Sequence, residues 1–378
     1  MTYKENSKRL RIAAFGFRSI PFRDGCAGAD KFAMELFTRL VNLGHSVIGY
    51  NRLYQGQQPL TKNYEGILLK NFRTVNVKGF DTLLHSLKST FHIIFRNTAE
   101  IVHIQNGGNS IWALALRLAG KKVFISQDGI DWNRDKWPWY GKVYLRFSTF
   151  LTAYLPNQVI FDNVFAREYF EKRFNKKFEF IPFGSDVPDF ADDPSIFKKL
   201  NIEKGEYFLF VGRFIPDKGL HYLISAFEKL NTDKKLVLVG GSPNPSDYED
   251  KLKSTNDPRI IFSGYLYGED SLRLMKHAYC YVQPSDVEGL SPVILNVMGL
   301  GTPLICSDIR ENKYASDNNA LYFRQGDIGS LLEMLDESLK SYESMKIRAV
   351  IAKERVLSQF SWDNVVKQHE KLFLDILH

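Results

Sequence analysis

The chain is poor in the features that fix a protein's setting at a glance. Its three cysteines (Cys26, Cys280 and Cys306) lie far apart in 378 residues and show neither paired nor metal-ligand spacing. That argues against a disulfide framework and suits a reducing compartment. No run approaches the roughly 18 consecutive apolar residues of a membrane span. The opening MTYKENSKRLRIAAFGF has basic residues but no long apolar stretch, so no signal peptide is expected. Short-period repeats and low-complexity segments are missing too. A cytoplasmic address is the expectation.

What is present reads as an ordinary globular protein, 44% hydrophobic and 25% charged. Its length exceeds the roughly 250–300 residues at which single cores stop growing, so two domains are expected. The net charge of +7 hides an asymmetry. Residues 1–185 hold 27 Lys and Arg against 14 Asp and Glu, net +13, and the remainder is net −6. A basic half suggests an anionic partner, either a nucleic acid or a phospholipid surface; a solvated charged face is the plain alternative. No nucleic-acid module is recognisable, so no nucleic acid is expected as partner.

Apolar strands and amphipathic helices alternate along the chain. LRIAAFGF, the loop RSIPFRDGCAGAD, the helix KFAMELFTRLVNLG and HSVIGY form a strand, loop, helix, strand crossover unit. EIVHIQN, the helix SIWALALRLAG, KKVFISQ, QVIFDN, the helix VFAREYFEKRF and FEFIPFG continue the series. PFGSDVPDFADDPS, with Pro182, Pro188 and Pro194 among clustered Asp, reads as the linker. The pattern restarts with EYFLFVGR, KLVLVGG, RIIFSGY, CYVQPS and PLICSD, separated by helices. The expectation is two doubly wound parallel-sheet, Rossmann-like α/β domains facing a central cleft. Domain boundaries are expected at 1–184 and 185–360, with a helix over 361–378 returning to the first domain. Ligands of such sheets bind at the carboxyl ends of the strands.

FVGRFIPDKGL carries Arg213 and Lys218 at the end of a strand and beside a helix start. Two cations there suit a diphosphate: Arg grips oxygens with a planar fork and Lys adds a mobile point charge. The phosphate-loop spacing GxxxxGK[ST] is absent from the segment. Surface charges near a turn are the plain reading. In PSDVEGLSPVILNVMGLG, Ser291 can cap a helix whose first residue is Pro292. That helix is apolar all round except Asn296, whose unpartnered amide would cost roughly 1–3 kcal/mol if buried. Asn296 therefore needs a partner, either neighbouring backbone or the hydroxyls of a ligand.

GRFIPDKG, FSGYL and PSDVEGLSPVILNVMGLGTPLICSDIREN together resemble the donor-nucleotide half of the retaining glycosyltransferases of family 4, which have the GT-B fold. GAD, LVNLGH, IVHIQ and FSWDNVVKQHEKLF fit the same family, so the resemblance spans nearly the whole chain. It implies that Arg213 and Lys218 grip the diphosphate of a sugar nucleotide and that Glu288 contacts the transferred sugar. It implies ribose or deoxyribose hydroxyls at position 296, and Gly28 in the loop that approaches the donor. Tyr265, Gly289, Leu290 and Ser291 would complete the donor site.

The sequence departs from the family at three places. Asn296 stands where most members have Glu, Gln105 where a second His is common, and Asp128 where many carry a His near the donor sugar. SQDGIDWNRDKW resembles a subgroup of bacterial rhamnosyltransferases through Asp128, Gly129, Trp132, Arg134, Lys136 and Trp137, as does FRSIPFRDGCAGADKF. By that resemblance the donor is a dTDP-, UDP- or GDP-linked sugar, with dTDP-rhamnose the specific case. Trp132, Arg134 and Trp137 would then lie on the acceptor side. No Asp-x-Asp pair occurs, so a metal–diphosphate clamp has no signature and neither a metal nor a cofactor is expected.

Asp128 can orient sugar hydroxyls, offset the cationic ring or act covalently; orientation is the preferred role. FDTLLHSLKSTFHIIFR and KWPWYGKVYLRFSTFLTAYL read as helices packed on the sheet, with an interfacial helix on anionic lipid as the alternative. His103 reads as a structural residue and His45 as a turn residue. The leading expectation is a membrane-associated glycosyltransferase acting on a glycan or lipid-linked glycan. Its alternatives are a sugar-nucleotide epimerase of the same fold and a non-catalytic sugar-nucleotide-binding scaffold.

Overall fold

Segments such as Ile101–Gln105 and Cys280–Gln283 are buried along their whole length. Strands of that kind must be covered on both faces, which is the situation inside a parallel sheet flanked by helices. The computed structural model describes residues 9–377, apart from 24, 25, 27, 55, 59, 60, 78, 131, 133–137, 187–189, 192 and 243–245. The chain divides into two compact units, one of residues 1–183 with 362–378 and one of residues 184–361.

In the first unit the strands are β1 (Arg11–Phe15), β2 (Ser46–Leu53), β3 (Asn63–Tyr64), β4 (Ile67–Arg73), β5 (Ile101–Gln105), β6 (Lys122–Gln127), β7 (Gln158–Phe161) and β8 (Glu179–Phe180). They form one sheet in the order β3-β4-β2-β1-β5-β6-β7-β8. All neighbours run parallel except β3 against β4. In the second unit β9 (Tyr207–Arg213), β10 (Lys235–Gly241), β11 (Ile260–Gly264), β12 (Cys280–Gln283), β13 (Leu304–Ser307) and β14 (Leu321–Phe323) form a parallel sheet ordered β11-β10-β9-β12-β13-β14. The order reverses between β1 and β5 in one sheet and between β9 and β12 in the other. Such reversals open a crevice at the strand carboxyl ends.

Several elements differ from the sequence reading. SIWALALRLAG is not one helix: a 3-10 turn, Gly107–Trp112, precedes the helix Ala113–Leu118. Gly107 N–H is held by Gln127 Oε1 at 2.9 Å, and a Cβ on Gly107 would lie 2.1 Å from that oxygen. FEFIPFG contributes only the two-residue β8. The structure adds β3, β4 and β14, and the helices Arg310–Ser316, Ile328–Lys340 and Tyr342–Gln359.

The helix Trp362–Asp375 belongs to the first unit, where Trp362, His369 and Phe373 pack around Phe32 and His103. His45 closes the turn after the helix Gly28–Asn42, its N–H bonded to the Leu40 carbonyl, and is 3% exposed. Its Nδ1 accepts the Leu10 N–H at 3.3 Å, so Nε2 carries the proton and donates to Glu370 on this helix at 2.9 Å. His103 is structural, with Nε2 2.9 Å from Ser126 Oγ. Burial pushes its pKa down to about 3 and that of His369 down to about 4.

Candidate functional site

The second sheet places its chemistry where β9 and β12 end side by side. After Arg213 the chain turns through a short 3-10 segment, Pro216–Lys218, into the helix Leu220–Phe227. Gly219 makes the turn with a φ of 66°, and a Cβ there would lie 2.0 Å from the Pro284 carbonyl oxygen. The loop after β9 thus lies directly against the loop after β12. Lys218 Nζ is 2.5 Å from Glu288 Oε1, a pair 18% and 7% exposed at the two side chains.

Glu288 is oriented by a chain of buried groups. Tyr281 donates its hydroxyl to Gln283 Oε1 at 2.6 Å, and Gln283 Nε2 donates to Glu288 Oε1 at 2.5 Å and to Ser285 Oγ at 2.8 Å. Burial of Tyr281, with Glu288 nearby, drives its phenol far above the usual range, so it stays a donor. Ser307 Oγ fixes the same loop through the Ser285 carbonyl at 2.6 Å. Glu311, in the first turn of its helix, is pushed above the usual carboxylate range by burial and, further down, by the charge of Glu288.

Arg213 is exposed and has no side-chain hydrogen bond or ion pair among the described residues. It pairs in register with Gly241, whose carbonyl accepts the Tyr265 hydroxyl at 2.6 Å. Tyr265 stacks against Tyr267 with ring centroids 6.0 Å apart. Gly289 and Leu290 continue the half-buried loop of Glu288 into Ser291, whose Oγ accepts the Ile294 N–H at 3.5 Å. Pro292 opens the helix Pro292–Leu300.

Asn296 has a side-chain partner rather than neighbouring backbone. Its Oδ1 accepts the hydroxyl of Ser185 at 2.8 Å, and the Ser185 backbone N–H is tied to the Phe360 carbonyl at 2.7 Å. The amide N–H groups of Asn296 have no partner among the described residues.

In the first unit, Gly28 is the first residue of the helix Gly28–Asn42, and a Cβ on it would meet nothing within 4 Å. Buried Asp30 holds the preceding loop by accepting the backbone N–H of Arg18 and of Ser19. Asp128 follows β6 at the carboxyl end of that sheet. Trp132 is 8% exposed and packs with Leu145, Val159, Phe161 and Phe170. Arg134 and Trp137 lie outside the described residues, as does Lys136.

The structure therefore brings Lys218 to Glu288 and Arg213 beside Tyr265, while Asn296 pairs with Ser185. Sequence reading missed Ser185, Tyr281 and Gln283. Only the buried polar residues of CYVQPS, set in an otherwise apolar strand, offered a signal. A groove of about 980 Å³ between the helices of this unit, lined by His221, Tyr248 and Arg259 among others, includes none of the expected residues.

Residues 192–355 match the family described as glycosyl transferases group 1, and residues 94–186 match a domain of unknown function, DUF1972. Every second-unit residue named above from Arg213 to Asn296 falls inside the first match, whereas Asp128, Trp132 and Ser185 fall inside the second. The chain is 29% identical over 165 residues to an uncharacterized glycosyltransferase of Methanocaldococcus jannaschii, covering 42% of each. It is 24% identical over 212 residues to the O-antigen chain mannosyltransferase C of Escherichia coli, covering 54% of this chain and 57% of that one. It thus spans about half the length of these relatives.

Among solved structures, sucrose-phosphate synthase from Thermosynechococcus elongatus superposes with a TM-score of 0.83 at 18% identity, covering 98% of this chain and 99% of that one. Anabaena HepE in complex with UDP and glucose gives 0.78 at 15% identity, covering 97% and 100%. The fold is that of the GT-B glycosyltransferases: two parallel-sheet, Rossmann-like α/β domains.

Proposed function

We propose that the chain is a retaining glycosyltransferase moving a sugar, rhamnose in the specific case, from a nucleotide-diphosphate donor to a lipid-linked or growing surface polysaccharide. The observation that carries this reading is the juxtaposition of Lys218 and Glu288 at the β9/β12 reversal inside the glycosyltransferase domain. The O-antigen relative and the UDP-bound neighbour support the polysaccharide and the sugar-nucleotide parts. Rhamnose rests on the resemblance through Asp128, Gly129 and Trp132.

As the donor bond breaks, negative charge grows on the departing diphosphate and positive charge on the anomeric carbon. Arg213 presents a planar fork to the diphosphate, and Lys218 adds a point charge. Both stabilise the leaving charge without a metal ion. Glu288, oriented by Gln283, receives a sugar hydroxyl, and the unpaired N–H groups of Asn296 face the ribose or deoxyribose. Asp128 orients the sugar rather than forming a covalent bond. Near-normal turnover in Asp128→Asn would remove it from any essential role, and loss of activity in chelator would overturn metal independence.

The first unit also carries an exposed stripe on the helix Trp139–Tyr154, made of Trp139, Tyr140, Val143, Phe147, Phe150 and Tyr154. Their spacing of three and four keeps them on one face. With the +13 charge of residues 1–185, this face fits an anionic lipid surface. No helix among the described residues is long and apolar enough to cross a membrane.

The deciding experiment is thermal unfolding of the protein with dTDP, UDP, GDP and ADP in turn. A ligand at 100 times its Kd adds about 2.7 kcal/mol. Stabilisation by one nucleotide that disappears in Arg213→Ala supports the reading and names the donor class. No stabilisation by any of them overturns the donor site.

A further inference from the structure

The first unit holds a cavity of about 310 Å³ between the helices Trp139–Tyr154 and Val164–Phe174, lined by Trp132, Arg146, Thr149, Tyr169 and Arg173. The two charged side chains in the lining are both guanidinium groups. Arg146 has no hydrogen-bond or ion-pair partner among the described residues. Arg173 donates to the Tyr169 hydroxyl at 3.3 Å, which leaves the proton of that hydroxyl to be given elsewhere. Thr149 gives its own proton to the Leu145 carbonyl at 2.8 Å and keeps a lone pair for the cavity. The floor is apolar and fixed: Trp132 lies against Tyr169, with ring centroids 5.8 Å apart and an interplanar angle of 54°.

Two forks and a phenol O–H line one concavity, with no carboxylate among its described lining residues, and make a site for a tetrahedral oxyanion. A single carboxylate would satisfy one guanidinium and leave the other idle; a phosphate or diphosphate engages both. On a helix with 3.6 residues per turn, Arg146 stands on the flank of the exposed stripe that runs through Val143, Phe147 and Phe150. The cavity therefore opens beside the surface that fits lipid.

We infer that this cavity is a phosphate-binding subsite, holding the phosphate or diphosphate group of a molecule presented to the first unit. Assigning that molecule to the acceptor rests on the transferase reading above; the binding of phosphate here does not.

Pyrophosphate is titrated into full-length Arg213→Ala protein, in which the donor site is disabled, and into the same protein with Arg146→Gln and Arg173→Gln added. The expected result is retained binding in the first and a loss of about ten-fold or more in the second. Arg146→Lys with Arg173→Lys, which keeps the charge but not the fork, should fall between. Equal pyrophosphate affinity in both proteins overturns the subsite. Arg146→Gln/Arg173→Gln with Arg213 intact is then sedimented with phosphatidylcholine vesicles doped with phosphatidic acid. Weaker sedimentation than wild type assigns the phosphate to a lipid headgroup; unchanged sedimentation, with pyrophosphate binding lost, assigns it to a soluble phosphate. Nucleotide stabilisation that survives in this variant keeps the donor reading separate, because the two can fail independently.

Discussion

Lys218 and Glu288, 70 residues apart in the chain, form an ion pair at 2.5 Å. Each therefore occupies the other in the place where the donor reading asks Lys218 to hold a diphosphate and Glu288 a sugar hydroxyl. Glu288→Gln should release Lys218. The expected outcome is tighter binding of the nucleoside diphosphate, by about five- to ten-fold, or about 1–1.4 kcal/mol. Turnover should fall at the same time, because the sugar loses its carboxylate. Titration calorimetry and steady-state kinetics on one preparation check both, and weaker nucleotide binding would contradict the competition.

Ser185 and Asn296 separate a structural from a ligand-facing role. Ser185→Ala removes the donor to Asn296 Oδ1 and should cost about 1–2 kcal/mol in denaturant titration, with nucleotide affinity unchanged. Asn296→Asp keeps the acceptor for Ser185 but loses the free N–H groups. It should keep its stability and lose nucleotide affinity by several-fold. The reverse pattern would make Asn296 a packing residue only.

Gly219 has left-handed backbone and no room for a side chain against Pro284. Gly219→Ala should cost about 2–3 kcal/mol of stability and move the β9 loop off the β12 loop, separating Lys218 from Glu288. Nucleotide stabilisation in thermal unfolding should drop with it. An alanine variant as stable as wild type would show that the two loops can part freely.

His85, His103 and His369 are buried with pKa values lowered to about 3, 3 and 4, burial being the largest cause for each. They stay neutral in the folded chain and take up protons when it unfolds. Stability from this source is complete above the ordinary histidine pKa of about 6.5 and is lost as pH falls from there towards 4. Each contributes a slope of about 1.4 kcal/mol per pH unit across that window. His369→Leu should make the dependence of unfolding free energy on pH shallower by about one proton between pH values of roughly 6 and 4.5. Chemical denaturation at a series of pH values measures it.

The sheets were legible because parallel strands advertise themselves as short apolar runs between turns, as EYFLFVGR and KLVLVGG do. The strand β4 was not, since its buried and exposed residues alternate next to the sheet edge and Lys70, Asn71 and Arg73 dilute the run. The placement of Arg213 and Lys218 just after a strand was legible from the run FVGRFIPDKGL. Their partners were not: Glu288 lies 70 residues from Lys218, Ser185 lies 111 from Asn296 and Glu370 lies 325 from His45. Local pattern carries no record of pairs closed by tertiary contact. Trp132 shows the opposite limit, because a motif resemblance says nothing about whether an indole is packed in the core.

The closing helix Trp362–Asp375 leaves a ribosome only after all of residues 184–361, yet it supplies His369 and Phe373 to the first unit. During synthesis the second unit is thus complete in sequence while its predecessor still lacks the helix that packs on Phe32, His103 and Phe124. Until that helix arrives the first unit has apolar surface uncovered, a state in which partly folded chains are prone to associate.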